Sequence, residues 1–199
     1  MADAPELAKP GAGLPFLQWL LARFYLFPKF CRNSSWERAM EFHAREGAKV
    51  LERARSLSAE QLQQRVLVSG VRGIEDSSRF WSVAMAVEHL MIVGDQMIRA
   101  ITSLSAGKVP DGKADIAAVK PKGVHADRTA IPAYEEFLAR YRKAYEGLPS
   151  LDSTAKFYHP WFGKMTAYQW HCLAASHTYI HRKQIDAIIS GLSSTRRSA

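Results

Sequence analysis

Cysteine is scarce in this chain: 199 residues hold two, Cys31 and Cys172, with no C-x-x-C or zinc-ribbon spacing. That excludes a disulfide scaffold and a cysteine-built zinc module, and both residues read as free thiols in a reducing compartment. A long uninterrupted apolar run is missing as well. The stretch 14–27 (LPFLQWLLARFYLF) is broken by Gln18 and Arg23 and is shorter than the ~20 residues a membrane span needs. It reads as an extra N-terminal helix packed on the domain or on a second copy, or as an amphipathic helix lying on a membrane surface. Residues 1–10 carry Asp3 and Glu6 and so lack the basic start of a secretory signal, which makes the cytoplasm the expected location. Strand signals are nearly absent, with alternation only over 65–71. Glycine and proline, at 12 and 9, are too few for a collagen-like or low-complexity chain.

Concentrated charge is missing too. The formal net charge is +8, but residues 31–57 and 105–129 each carry an excess of two, and Arg196 and Arg197 add two more. No basic run follows one helix face and no aromatic–basic RNA-binding pattern appears. A scattered basic surface of this kind is a solvated one, so nucleic-acid binding ranks last among the candidate functions.

The residues that are present describe one globular domain, 47% hydrophobic and 23% charged, large enough to bury a core without staples. Four helices are predicted. The first covers 35–57, behind a capping box of Ser34 and Glu37, with Trp36, Met40, His43, Gly47, Val50, Ala54 and Leu57 recurring at four and three. Ser58 and Gln61 form a second short cap. The second helix, 78–104, is apolar over most of its circumference and therefore central. A connection over 105–129, with Gly107, Pro110, Gly112, Pro121 and Gly123, has no period; it is long enough to be functional or a crossover and lets the second and fourth helices be neighbours. The third helix covers 131–147, a loop fills 148–165, and the fourth helix covers 167–190, with a capping box at Thr166 and Gln169 and a C-cap at Gly191. The expected organisation is an extension with a helix over 1–30, a bundle over 31–192 and a disordered tail over 193–199. The fold class is all-α: a four-helix bundle with an additional N-terminal helix.

Histidine carries the chemistry. His177 and His181 form H-x-x-x-H on the apolar stripe of the fourth helix, beside Trp170, Leu173, Ile185 and Ile188. Residues i and i+4 share a face, and two imidazoles so placed can hold one metal ion at about 2.0–2.1 Å. His89, beside Trp81 and Met85, faces inward from the most apolar helix. Three inward imidazoles from two facing helices make a three-nitrogen site with an open position, the ligand set of a reactive centre. Three separately satisfied core histidines explain the same pattern, since each buried ring nitrogen needs a partner. Gln184, Gln96 and Glu88 are placed to orient a ligand or to serve as plain structural hydrogen-bonding groups. His43 lies on the first helix stripe and is expected to face the same cavity. His159, extended because Pro160 follows it, is a loop anchor or stands at the mouth of the site. His171 and His125 are expected to be exposed.

The residues His159-Pro160-Trp161-Phe162-Gly163-Lys164-Met165-Thr166, then Trp170, then His177-x-x-x-His181 and Gln184, with Trp81 to Ile101 around Glu88-His89-Leu90, resemble the DinB-like superfamily. The resemblance covers about 34–191 in architecture and 81–101 and 159–188 in motif. It implies a four-helix bundle, a divalent metal held by His89, His177 and His181, frequent homodimers, and relatives that include bacillithiol- and mycothiol-dependent S-transferases and a maleylpyruvate isomerase. A three-imidazole site suits zinc or nickel first, then cobalt or iron. Three functions follow: a metal-dependent transferase joining a small-molecule thiol to an electrophile, a metal-dependent hydrolase, and a non-catalytic, stress-linked metal-binding bundle. Cys172 is not expected to be the nucleophile, because burial raises a thiol pKa.

Overall fold

The computed structural model describes residues 5–197; Asp3 and the last two residues of the 193–199 tail lie outside the described residues. Four long helices form the bundle: α3 (Trp36–Arg55), α5 (Val83–Ser105), α6 (Ala130–Glu146) and α7 (Ala167–Arg197), after the shorter α1 (Phe16–Leu21), α2 (Phe27–Arg32) and α4 (Ala59–Gln63). α7 packs on α3 and α5, and α6 completes the ring on their far sides. The helices carrying the three inward histidines are therefore neighbours, as expected. The connection after α5 is not what makes them so. It joins the adjacent α5 and α6, whereas the links that cross the bundle diagonally are 56–82 and 147–166.

Side-chain oxygens set several helix starts. Ser35 caps α3 by accepting the Arg38 N–H at 3.2 Å, one residue later than the Ser34 box predicts. Ser58 and Gln61 make the predicted box ahead of α4, and Thr166 and Gln169 exchange side-chain bonds at the head of α7. α5 starts at Val83, not 78, because Ser82 accepts the Met85 N–H. The preceding pair β2 (Phe80–Trp81) lies antiparallel to β1 (Val66–Leu67), with Val66 opposite Trp81. The alternation over 65–71 was thus a genuine strand signal, and the aromatic pair suits its partner strand.

The expected loop over 148–165 holds a hairpin: β3 (Lys156–His159) pairs with β4 (Gly163–Thr166), His159 opposite Gly163. Gly163 sits at φ +77, a conformation side chains with a Cβ rarely adopt. The end of α7 is a further correction. The helix runs past Gly191 to Arg197, so the expected C-cap and disordered tail give way to helix. Gly191 is there because the Val66 side chain packs against its backbone where a Cβ would stand. Gly94 plays the same part under the ring of Phe137, letting α5 and α6 close on each other.

The N-terminal helix is an arm rather than a separate body. Between α1 and α2 the chain makes a π turn over Ala22–Leu26, in which the Phe27 N–H reaches the Ala22 carbonyl. Pro28 supplies the cause: it has no N–H to continue the α ladder and crowds the carbonyl four residues back. Arg23 and Trp19 both donate to the Trp161 carbonyl, at 2.6 and 3.1 Å, and Tyr168 donates to the Cys31 carbonyl at 2.8 Å. Ahead of the arm, the backbone N–H of Ala8 is held by Asp76 and those of Gly11 and Gly13 by Glu75. Among the described residues, no helix is long and apolar enough to cross a membrane.

Candidate metal centre

α5 and α7 bring His89, His177 and His181 together. One ring nitrogen from each lies within 4.8 Å of the others, and the ring centroids are 4.4–5.1 Å apart. His89 and His181 are buried; His177 is half-buried, and it lines the cavity beside the bundle.

Each buried ring is oriented from behind. The Nδ1 of His89 lies 2.7 Å from the Val119 carbonyl. A carbonyl only accepts, so this nitrogen carries the proton and Nε2 is bare. The Gln184 amide donates from Nε2 to the Ser78 carbonyl at 2.7 Å. That fixes its oxygen toward His181 Nδ1, also at 2.7 Å, so His181 likewise presents a bare Nε2. The Nε2 atoms of His89 and His177 are 3.3 Å apart. That contact is a hydrogen bond only while His177 keeps a proton on Nε2; without it, lone pairs face one another and a cation is what such a set holds. Two nitrogens at about 2.0–2.1 Å from one tetrahedral ion lie ~3.3 Å apart, so the residues fit the ion that the sequence implies.

Electrostatics favours the neutral, ligating form. Burial pushes the pKa of His89 and His177 well below the ordinary imidazole value, and the charge a neighbouring imidazole would carry pushes the same way. His181 is pushed down to about 4, mainly by burial, against the opposing bond from Gln184. Neutral imidazole is the form that offers a lone pair to a metal. Trp81 closes one side, stacked on His181 at 6.0 Å and edge-on to His89 at 5.1 Å.

The two orienting carbonyls belong to segments that are tied together. Lys120, next to Val119, donates to Glu75 at 2.6 Å and to the hydroxyls of Ser77 and Ser78 at 2.9 Å. Glu88, next to His89, accepts the N–H groups of Lys122, Gly123 and Val124 at 2.9–3.2 Å. The 106–129 connection is thereby pinned at the site. Sequence reasoning missed Ser78, Val119, Glu75 and Lys120. The first two orient the rings through backbone carbonyls, which leave no trace in residue identity, and the other two join segments far apart in the chain, Glu75 holding Lys120, Gly11 and Gly13 and Lys120 holding Glu75, Ser77 and Ser78.

The remaining candidates separate. Gln184 and Trp81 are at the centre. His159 lines the cavity, and its Nδ1 accepts the Trp161 N–H at 3.0 Å, as a loop anchor would; burial lowers its pKa to about 4. Trp170 faces the hairpin instead, against Phe157 and His159. Gln96 is half-buried on α5 and does not line the cavity. His43 does not face the cavity either: it stacks on Tyr141 at 4.0 Å in the core. His171, expected at the surface, is 1% exposed, with the Tyr141 hydroxyl on Nδ1 and the Trp36 carbonyl on Nε2; its ring is stacked against Trp36 and Tyr145, which supply a second apolar face that the stripe does not reveal. His125 is half-buried. The two cysteines act on each other: the neighbouring thiol raises the Cys31 pKa and lowers that of Cys172. Burial does push the Cys172 thiol up, as expected, but the effect of Cys31 outweighs it and the net shift is downward; neither sulfur lines the cavity.

That cavity measures about 490 Å³. Its floor is the histidine group, its sides come from α5 and α7, and its outer wall is the N-terminal arm.

A family model described as the DinB superfamily matches residues 44–185. No curated protein and no solved structure matches the chain.

Proposed function

The chain belongs to the DinB superfamily, and from that premise we propose that it is a metal-dependent thiol S-transferase: His89, His177 and His181 hold a divalent ion, zinc or nickel first, and a thiol is joined to a small electrophile. The observation that carries this reading is the convergence of three neutral imidazoles, two of them oriented by bonds from behind, on the floor of a small-molecule-sized cavity. A divalent ion held by three neutral ligands keeps its full charge, and at such an ion a thiol loses its proton near neutral pH and becomes nucleophilic.

The chain's own residues do the rest. His89 and His181 keep their Nδ1 protons on Val119 and Gln184, so their Nε2 lone pairs stay committed to the centre. Trp81 shields one side from water. The hairpin turn and the arm wall the cavity with His159, Trp161 and Phe162, and an electrophile would lie against them. Excluding water matters because water would otherwise compete with the thiol for the electrophile.

Elemental analysis of untagged protein tests the reading, paired with thiol-conjugation assays on 1-chloro-2,4-dinitrobenzene. About one divalent ion per chain, lost together with turnover in His177→Ala, is the expected result. Wild type that holds no divalent ion and conjugates no thiol overturns it. Turnover of a nitrophenyl ester without added thiol would make the same centre a hydrolase.

A further inference from the structure

The inner face of the arm is set by its π turn. In a regular helix, the stripe begun by Leu14, Gln18 and Leu21 would continue through Tyr25 and Lys29, because positions three and four apart share a face. The π turn over Ala22–Leu26 holds one residue more than an α turn and moves the stripe on by one. Leu26 and Phe30 line the cavity in place of Tyr25 and Lys29, and Lys29 is exposed. The register change thus keeps an ammonium out of the cavity and puts a leucine and a phenylalanine into it.

The opposite wall is apolar as well, with Val93, Met97, Leu173 and Ile180. Glu75 and Lys120 reach the cavity from the bundle, but they are bound to each other at 2.6 Å and are not free to serve a charged ligand. Arg72 stands exposed at the rim. Polarity is concentrated at the histidine floor. A cavity of about 490 Å³ falls within the ~300–1,000 Å³ of small-molecule sites. A cavity lined this way gains most from a ligand that covers its apolar walls.

We propose that the substrate this site takes is a molecule with an apolar body, long or flat, whose reactive end reaches the histidine floor, and that residues 14–30 select it. The inference rests on the proposed metal centre only for the position of the reactive end. The arm lies outside the family match, which begins at residue 44.

The test uses N-phenyl-1-naphthylamine, a neutral apolar dye that brightens in dry sites, titrated into the full chain. Wild type is expected to bind it saturably. Leu26→Asp is expected to weaken binding by about tenfold, because an unpaired carboxylate then faces an apolar ligand. Ala22→Trp, which fills the same wall without adding charge, should weaken binding similarly. Phe24→Asp, on the outer face of the same turn, should change it less than about twofold. Leu26 and Phe24 are 51% and 64% exposed, so both aspartates are compatible with folding, checked by far-UV circular dichroism. Absence of saturable binding by wild type, or equal weakening by the inner and outer aspartates, overturns the proposal. His177→Ala, which removes the ion, should retain dye binding; a wild type that binds dye but no metal would remove the metal reading and leave the apolar site standing.

Discussion

Gln184 holds His181 by a 2.7 Å bond, with its amide locked the correct way round by the Ser78 carbonyl. One glutamine thereby decides which nitrogen of the His181 ring is bare.

Removing that brace should loosen the metal without removing a ligand. Gln184→Ala is expected to cut zinc affinity by about 10–100-fold while the stoichiometry is unchanged, the size of effect seen when a metal-bound histidine loses its orienting partner. Competition against a chromophoric chelator measures it. Affinity equal to wild type would mean that packing alone orients the ring.

Glu88 offers a second lever one residue from His89. Its carboxylate accepts three consecutive backbone N–H groups of the 106–129 connection, and an unpaired buried donor costs about 1–3 kcal/mol. Glu88→Ala should destabilise the fold by about 2–4 kcal/mol in urea. It should also weaken zinc binding, because the same connection presents Val119 to His89. Glu88→Gln, which keeps one acceptor oxygen, should fall between the two. A change below about 0.5 kcal/mol would show that the connection needs no tether.

The structural histidines predict the acid limb of stability. Burial is the main cause that lowers His43 to about 3 and His171 to about 4. The unfolded rings titrate near 6.5, so below that pH the unfolded chain binds more protons, and stability falls as pH drops. The loss begins near 6.5 and continues to the folded values, each ring contributing up to about 1.4 kcal/mol per pH unit. Chemical unfolding between pH 7.5 and 4.5, with chelator present, should show this slope. His43→Leu should reduce it by one ring's share; an unchanged slope would place the titration elsewhere.

The bundle and the triad were legible in the sequence because both depend on periodicity. His89, His177 and His181 lie on apolar stripes, and α3, α6 and α7 begin within a residue or so of their predicted starts. What the sequence hid depends on contacts between distant segments. His171 looked exposed because its apolar neighbours, Trp36 and Tyr145, come from other helices. Gly191 looked like a helix stop because the reason for it is Val66, far away in the chain. His43 shares the stripe of α3 yet stacks on Tyr141, since a stripe names a face and not the partner that meets it. The π turn was hidden although Pro28 was in view, because a proline says that the ladder must break but not how the chain absorbs the break.

The arm also has a consequence for how the molecule assembles. Arg23 closes on the Trp161 carbonyl across 138 positions of sequence, and long-range closures of this kind form late because the intervening chain must first be ordered. A growing chain exposes its N-terminal part first. The wall of the cavity is therefore made before the hairpin turn and waits for it before it can seat. Until then no site exists, so a chain that stops before the hairpin carries His89 of α5 without a chamber in which to use it.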